Sequence, residues 1–221
     1  MTELTDLDDF LKQNVNGYLF ADLEAMKAIT LKPGEVVGAV GYPLLMATFA
    51  GIELLGTLVS TSPFSNKDGR RYFSSFWTEY LYKDAPQRDM GEPVYELARH
   101  GLMHLYAVKC NITVTKGEPD KHLRQDKSNN VIYIDSVQLA DDLMSSYTNH
   151  VRPLLTKTDG STMAQRLTEM RKWYAEKTKE PVESWSKTLP YYVIPLLTVP
   201  QSGKCSTESP ASSGSALPLK K

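Results

Sequence analysis

Apolar side chains recur along this chain mostly at helical spacing. Over Leu4 to Ile29 they fall at Leu4, Leu7, Phe10 and Leu11, and again at Leu19, Leu23 and Met26, with a break near Asn14-Val15-Asn16-Gly17. That pattern predicts two short amphipathic helices or one long kinked one. Lys32-Pro33-Gly34 reads as a turn. Leu44 to Val59 is apolar on nearly every side, which marks a helix at the centre of a bundle. Pro43 suits its first turn, where a missing N–H costs nothing. Glu53 is the only charge in that helix, so its carboxylate finds a partner, takes up a proton or points to water.

Ser62 to Gly69 is a predicted loop. From Arg70 to Tyr82 the spacing Phe73, Phe76, Trp77, Tyr80 follows one helical stripe, read as core packing and not as a base-stacking platform. Lys83 to Gly91 breaks the helix, and Glu92-Pro93 opens the next with an acid and a proline in its first turn. Asn111 to Thr115 and Val131 to Ile134 read as short strands of a β-hairpin. The polar loop between them carries Lys121, His122, Arg124 and Lys127 and reads as solvated surface, with contact to a phosphate backbone as the alternative. Asp135-Ser136 caps a helix that runs from Val137 towards Thr156, with Leu139, Leu143, Met144, Tyr147, Val151 and Leu154 inward. A further amphipathic helix spans Thr162 to Lys177. Pro181 to Pro200 is irregular, with Trp185 and the run Tyr191 to Val199 expected against the bundle.

The fold class expected is therefore mainly α. A helical bundle over residues 1–156 carries a small β-hairpin at about 111–134, a helical extension covers 157–200, and the Ser/Pro/Gly-rich 201–221 is a disordered tail.

Composition narrows the functional classes. Among 221 residues, 41% are apolar and 23% charged, ordinary for a soluble domain, and a net charge of −1 excludes a global basic footprint for nucleic acid. Phosphate binding would need a local patch. Two cysteines make no disulfide framework, which points to a reducing, cytoplasmic setting. The acidic start (Glu3, Asp6, Asp8, Asp9) predicts no signal peptide. The uncharged Val36 to Ile52 contains three glycines and Pro43, and is read as a buried helix, not a membrane span.

Chemistry concentrates in Glu96 to Tyr106, Glu-Leu-Ala-Arg-His-Gly-Leu-Met-His-Leu-Tyr, which holds two of the four histidines. Glu96, His100 and His104 fall at i, i+4 and i+8, on one helical face. Zinc would need a further ligand, and the chain offers no Cys/His cluster, so neither metal nor cofactor is expected. Acid–base work on a phosphodiester fits differently. Histidine moves protons near neutral pH, and arginine's planar fork suits phosphoryl oxygens. Arg99 and His104 supply one of each. Five residues place them about 140° apart on a straight helix, so a groove shared with a second copy would serve better.

Arg99-His100-Gly101-Leu102-Met103-His104 resembles the Arg-x4–6-His signature of the HEPN superfamily. Leu105-Tyr106 extends the likeness to Arg-x4-His-x-Tyr, the variant of HEPN toxins paired with minimal nucleotidyltransferase antitoxins. The resemblance implies RNA binding and a metal-independent endoribonuclease acting as a homodimer. Carried across, His104 is the general acid/base and Arg99 holds phosphate. His100 orients them, and Tyr106 lines the site or receives a nucleotidyl group. Non-catalytic members of such a family bind RNA or partners only. A rival reading makes the chain a helical interaction module in which Arg99 pairs internally with Glu53. Both stay open on sequence.

Overall fold

The structure, a computed structural model, describes residues 3–30, 39–99, 101–102, 111–156 and 159–188. The N-terminal apolar repeat folds as one rod. Helix α1 comprises Glu3–Phe10, a π-helical stretch Leu11–Phe20, and Ala21–Ala28, with Phe10 and Phe20 keeping helical angles at the junctions. The wider turns absorb the slip in apolar spacing near Asn14, so that Leu7, Leu11, Val15 and Leu23 are all buried.

Helix α2 (Gly41–Val59) supplies most of the core, with Leu44, Leu45, Phe49, Ile52, Leu55 and Leu58 wholly enclosed. It is long and apolar enough to cross a membrane, yet over half of it is covered by the rest of the protein, as a core helix is. Thr48 and Thr57 return their hydroxyls to the carbonyls of Leu44 and Glu53, both at 2.8 Å. At Gly56 an added Cβ would stand 2.2 Å from the Tyr72 carbonyl oxygen. Only glycine allows the backbone of α3 (Gly69–Phe76, continuing as a π turn Trp77–Leu81) to come this close. The aromatic stripe of α3 is core, as expected. Phe73 meets Phe49 edge-on at 5.6 Å, Trp77 stacks on Phe73 at 5.8 Å, and the indole N–H donates to the Gln87 carbonyl at 2.9 Å.

After a 3₁₀ turn over Pro86–Met90, helix α4 runs through Gly91–Val94 into a π turn, Tyr95–Arg99. Three strands follow: β1 (Ile112–Thr115), β2 (Gln125–Asp126) and β3 (Val131–Asp135). The expected hairpin over 111–134 is corrected here. β1 and β3 pair parallel, Ile112 opposite Ile132, while β2 pairs antiparallel with β3 and the sheet order is β1-β3-β2. The connection turns back before β3 begins. A 3₁₀ turn over Pro119–Lys121 and a left-handed Leu123 (φ 53°) reverse the chain, and buried His122 and Leu123 anchor it. The loop's basic residues are thus not all solvated, because His122 points inward.

Asp135 caps α5 (Ser136–Ser146, continuing through Tyr147–Val151 and Arg152–Thr156). Its Oδ1 accepts from the Val137 and Gln138 N–H groups at 3.1 and 2.9 Å, and Oδ2 from the Thr115 hydroxyl and the Glu118 N–H at 3.0 and 2.7 Å. Lys116 ties the sheet to the rest. Its ammonium donates to the carbonyls of Met26, Ile29 and Ala39, closing the end of α1 and holding a backbone where Ala39 and Val40 are both left-handed (φ 51° and 53°). Helix α6 (Asp159–Thr188) completes the described chain. Met1–Ala175 forms one compact unit and Glu176–Lys221 a second, of which only the helical continuation of α6 is described. The expected packing of Tyr191 to Val199 and the 201–221 tail lie outside the described residues.

His122 sits in a buried relay. The Asp135 N–H donates to its Nδ1 at 3.1 Å, so the ring proton is on Nε2, which reaches the Tyr82 hydroxyl at 3.0 Å. That hydroxyl donates to Asp142 Oδ2 at 2.5 Å. Burial pushes the His122 pKa down, and the Asp142 and Asp135 carboxylates oppose this only in part. The ring is therefore neutral, and its 3.6 Å approach to Asp142 is not an ion pair.

Two outcomes follow from these anchors. Asp135→Ala strips the acceptor from four buried or half-buried donors and is expected to lower unfolding free energy by about 3 kcal/mol, measured by urea titration. Below pH 6.5 the unfolded chain protonates His122 while the native ring resists, so stability is full above that pH and falls as pH drops towards the lower native value. Melting temperatures from pH 7.5 to 5 should show this decline, and His122→Gln should flatten it.

Candidate functional site

The only charge in α2 and the arginine of the Arg-x4-His pattern meet. Arg99 Nη2 donates to Glu53 Oε2 at 2.6 Å, with the arginine side chain 19% exposed and the glutamate 27%. Neither is sealed in hydrocarbon, and neither is freely solvated. Three features hold the pair. The π turn of α4 sets Tyr95 four residues before Arg99, with the guanidinium 5.1 Å from the ring centroid. Burial raises the Tyr95 pKa, opposed by the Arg99 charge. On the other side, Glu53 Oε1 rests against Gly69, where a Cβ would stand 2.5 Å away. Gly69 opens α3, so the carboxylate also lies near that helix's positive end.

Glu53 and Arg99 form part of the wall of an open groove of about 360 Å³. Aromatic side chains supply much of the rest: Phe64, Tyr72, Trp173 and Tyr174. Trp173 meets Phe64 at 6.1 Å and Tyr174 at 4.9 Å, both edge-on, and Tyr174 is 55% exposed. Polar bonds fix the loop that bears Phe64. Its N–H donates to Glu169 Oε2 at 2.9 Å, and that bond is the main reason the Glu169 pKa is lowered. Arg166, itself buried, donates to the Ser60 carbonyl at 3.2 Å and pairs with Glu169. The Ser65 N–H donates to the Tyr72 hydroxyl at 2.8 Å.

Two arginines near the groove are committed to carboxylates. Arg70 pairs with Glu92 and with Glu96, the latter at 2.8 Å, and Arg71 with Asp68 at 2.6 Å. Arg99 is the one basic side chain among the described residues that line the groove. Glu96, one of the three aligned metal-ligand candidates, is engaged by Arg70. His100, His104 and Tyr106 lie outside the described residues, and among those described no group of three His, Cys, Asp or Glu side chains is placed to hold a metal.

The aromatic wall was not singled out from the sequence. Phe64 lies in a polar loop and Trp173 in a helix of mixed charge. The usable signal was a large apolar residue in a loop otherwise built of Ser, Pro, Asn, Lys, Asp and Gly.

These features define a mainly helical protein with a three-stranded sheet and an aromatic-walled groove around an ion pair. No family model, curated protein or solved structure matches the chain.

The geometry predicts an energetic link between the two charges. A double-mutant cycle with Glu53→Gln and Arg99→Gln, followed by chemical denaturation, should give a coupling of about 1–2 kcal/mol. Gly69→Ala should displace the glutamate and reduce that coupling. A coupling near zero would mean that the contact does not organise the groove.

Proposed function

We propose that this is a HEPN-like helical protein that binds single-stranded RNA through the groove at Arg99 and cuts it without metal. The observation that supports this best is a guanidinium held from two sides, by Glu53 and Tyr95, in the wall of an open groove. A cation fixed beforehand is what a phosphodiester needs as charge builds on its oxygens. Glu53 meets the guanidinium through Nη2, one of three nitrogens that together carry five N–H donors.

In this reading Arg99 binds the phosphate, His104 moves the proton and Glu53 sets the arginine's direction, with His100 and Tyr106 in support. A two-fold homodimer would bring two copies of the motif to one cleft, and a nucleotidyltransferase antitoxin is the partner the toxin variant implies. The cytoplasm is the setting such a pair would need.

A second reading is favoured by the same contact. At 2.6 Å and mostly covered, the Arg99–Glu53 pair can serve only to join α2 to α4 in a non-catalytic interaction module.

Labelled single-stranded RNA, titrated by anisotropy in EDTA and then run on a denaturing gel, separates the two. Binding should weaken about tenfold in Arg99→Ala, and because one groove cation meets one phosphate, the log–log salt slope should become shallower by about 0.7. His104→Ala should retain binding and lose cleavage. Wild-type protein that leaves RNA both unbound at low salt and intact overturns the proposal and leaves the interaction module.

A further inference from the structure

Two of the aromatic residues that line the groove come from the helical extension beyond residue 156. Trp173 and Tyr174 belong to α6, and Phe64 to the loop that α6 clamps through Glu169 and Arg166. Their rings share the groove with Arg99, the one basic side chain among the described lining residues, whose charge is largely offset by Glu53. We infer that the groove is a one-nucleotide subsite: a nucleobase stacks on Trp173 with its edge against Phe64, and one phosphate, no more, reaches Arg99.

Size, surface and charge each restrict the occupant. A volume of about 360 Å³ lies near the lower end of small-ligand sites, with room for one planar base and its sugar and not for a paired helix. Trp173 is steeply inclined to Phe64 (65°) and to Tyr174 (82°), so a base that lies flat on one ring meets its neighbour edge-on. Such stacking is open to any base, so the preference is for an unpaired base and not for a sequence. A quaternary ammonium, the other common guest of aromatic walls, would meet Arg99 already paired with Glu53, the one carboxylate among the described lining residues. A purely apolar guest would strip water from the ion pair and return nothing to it. A di- or triphosphate would place its added charges beside Glu53 with Arg70 and Arg71 already engaged by carboxylates. A single phosphate, as in a nucleoside monophosphate or one internucleotide link, meets the guanidinium alone.

The inference rests on the reading that Arg99 faces phosphate, and its test keeps the two apart. Trp173 borders the groove whereas Trp77 is wholly buried, and with the third tryptophan removed by Trp185→Phe in every sample, stacking on Trp173 should quench tryptophan emission. The full chain is titrated with AMP and UMP, with adenosine and uridine, with ATP, and with tetramethylammonium. Both monophosphates should quench saturably, the nucleosides should bind about tenfold more weakly, ATP no tighter than AMP, and tetramethylammonium should not quench. Trp173→Phe should remove the quench. Phe64→Ala, monitored by the remaining Trp173, should weaken AMP by about tenfold while circular dichroism stays unchanged.

Wild-type protein that binds RNA through Arg99 but shows no quench with either monophosphate, or binds ATP much more tightly than AMP, overturns the one-nucleotide subsite and leaves the RNA reading standing. Quenching by nucleosides equal to that by monophosphates, together with no effect of Arg99→Ala on RNA, overturns both.

Discussion

One carboxylate in an otherwise apolar helix sets the terms for this fold. Glu53 cannot turn into the core formed by Ile52, Leu55 and Phe49, and a charge left there without a partner would cost several kcal/mol. It is settled at the edge of α2 by the Arg99 guanidinium on one side and the Gly69 backbone on the other. Three elements are thereby brought into register: α2, the first residue of α3 and the π turn of α4. The widened turn carries both partners of a second contact, the Arg99 guanidinium and the Tyr95 ring beneath it.

The same device recurs wherever a polar segment must be fastened to the bundle. Asp135 uses both oxygens twice, to start α5 and to hold the return of the chain after β1. Lys116 spends its ammonium on three carbonyls from two separate segments. His122 is locked as a neutral ring between a backbone N–H and the Tyr82 hydroxyl. Each is a group that would be expensive to bury alone, and each is matched to complementary donors or acceptors. The small sheet is too short to be stable by itself, and these contacts are what attach it.

Much of this was legible in the residues. The aromatic spacing of Phe73, Phe76 and Trp77 marked a buried helical face because periodicity reports burial directly. Asp135 could be read as a cap because an N-cap is a local arrangement, settled within four residues. The isolated charge of Glu53 likewise demanded a partner, and the choice of Arg99 needed only that one other segment carry a cation out of pattern. What could not be read was non-local. Two short strands fifteen residues apart look alike whether they pair parallel or antiparallel, and the direction here follows from a left-handed Leu123 that no local pattern announces. His122 sits among charged neighbours, and nothing nearby signals that the loop folds it inward. Phe64 and Trp173 are far apart in sequence and neither is periodic with its surroundings, so their meeting became visible only with the fold.

Whether the central pair is scaffold or tool turns on what the fold would lose without its charges. A partly covered ion pair recovers little more than the hydration it gives up, and an apolar pair of similar volume would join α2 to α4 at least as well. Joining helices therefore does not require an arginine here. What an apolar pair would not provide is a guanidinium already oriented, its rotamers restrained by Tyr95 and Glu53, at the mouth of a groove rimmed with aromatic rings. Orientation made before a ligand arrives is binding entropy that need not be lost on contact. On the proposed reading the glutamate has a second effect: by offsetting one unit of charge it would keep the groove from attracting polyanions indiscriminately. A lone arginine without Glu53 would bind any phosphate more readily and choose among them less well, which is the sense in which the pair is better suited to selecting a ligand than to holding two helices together.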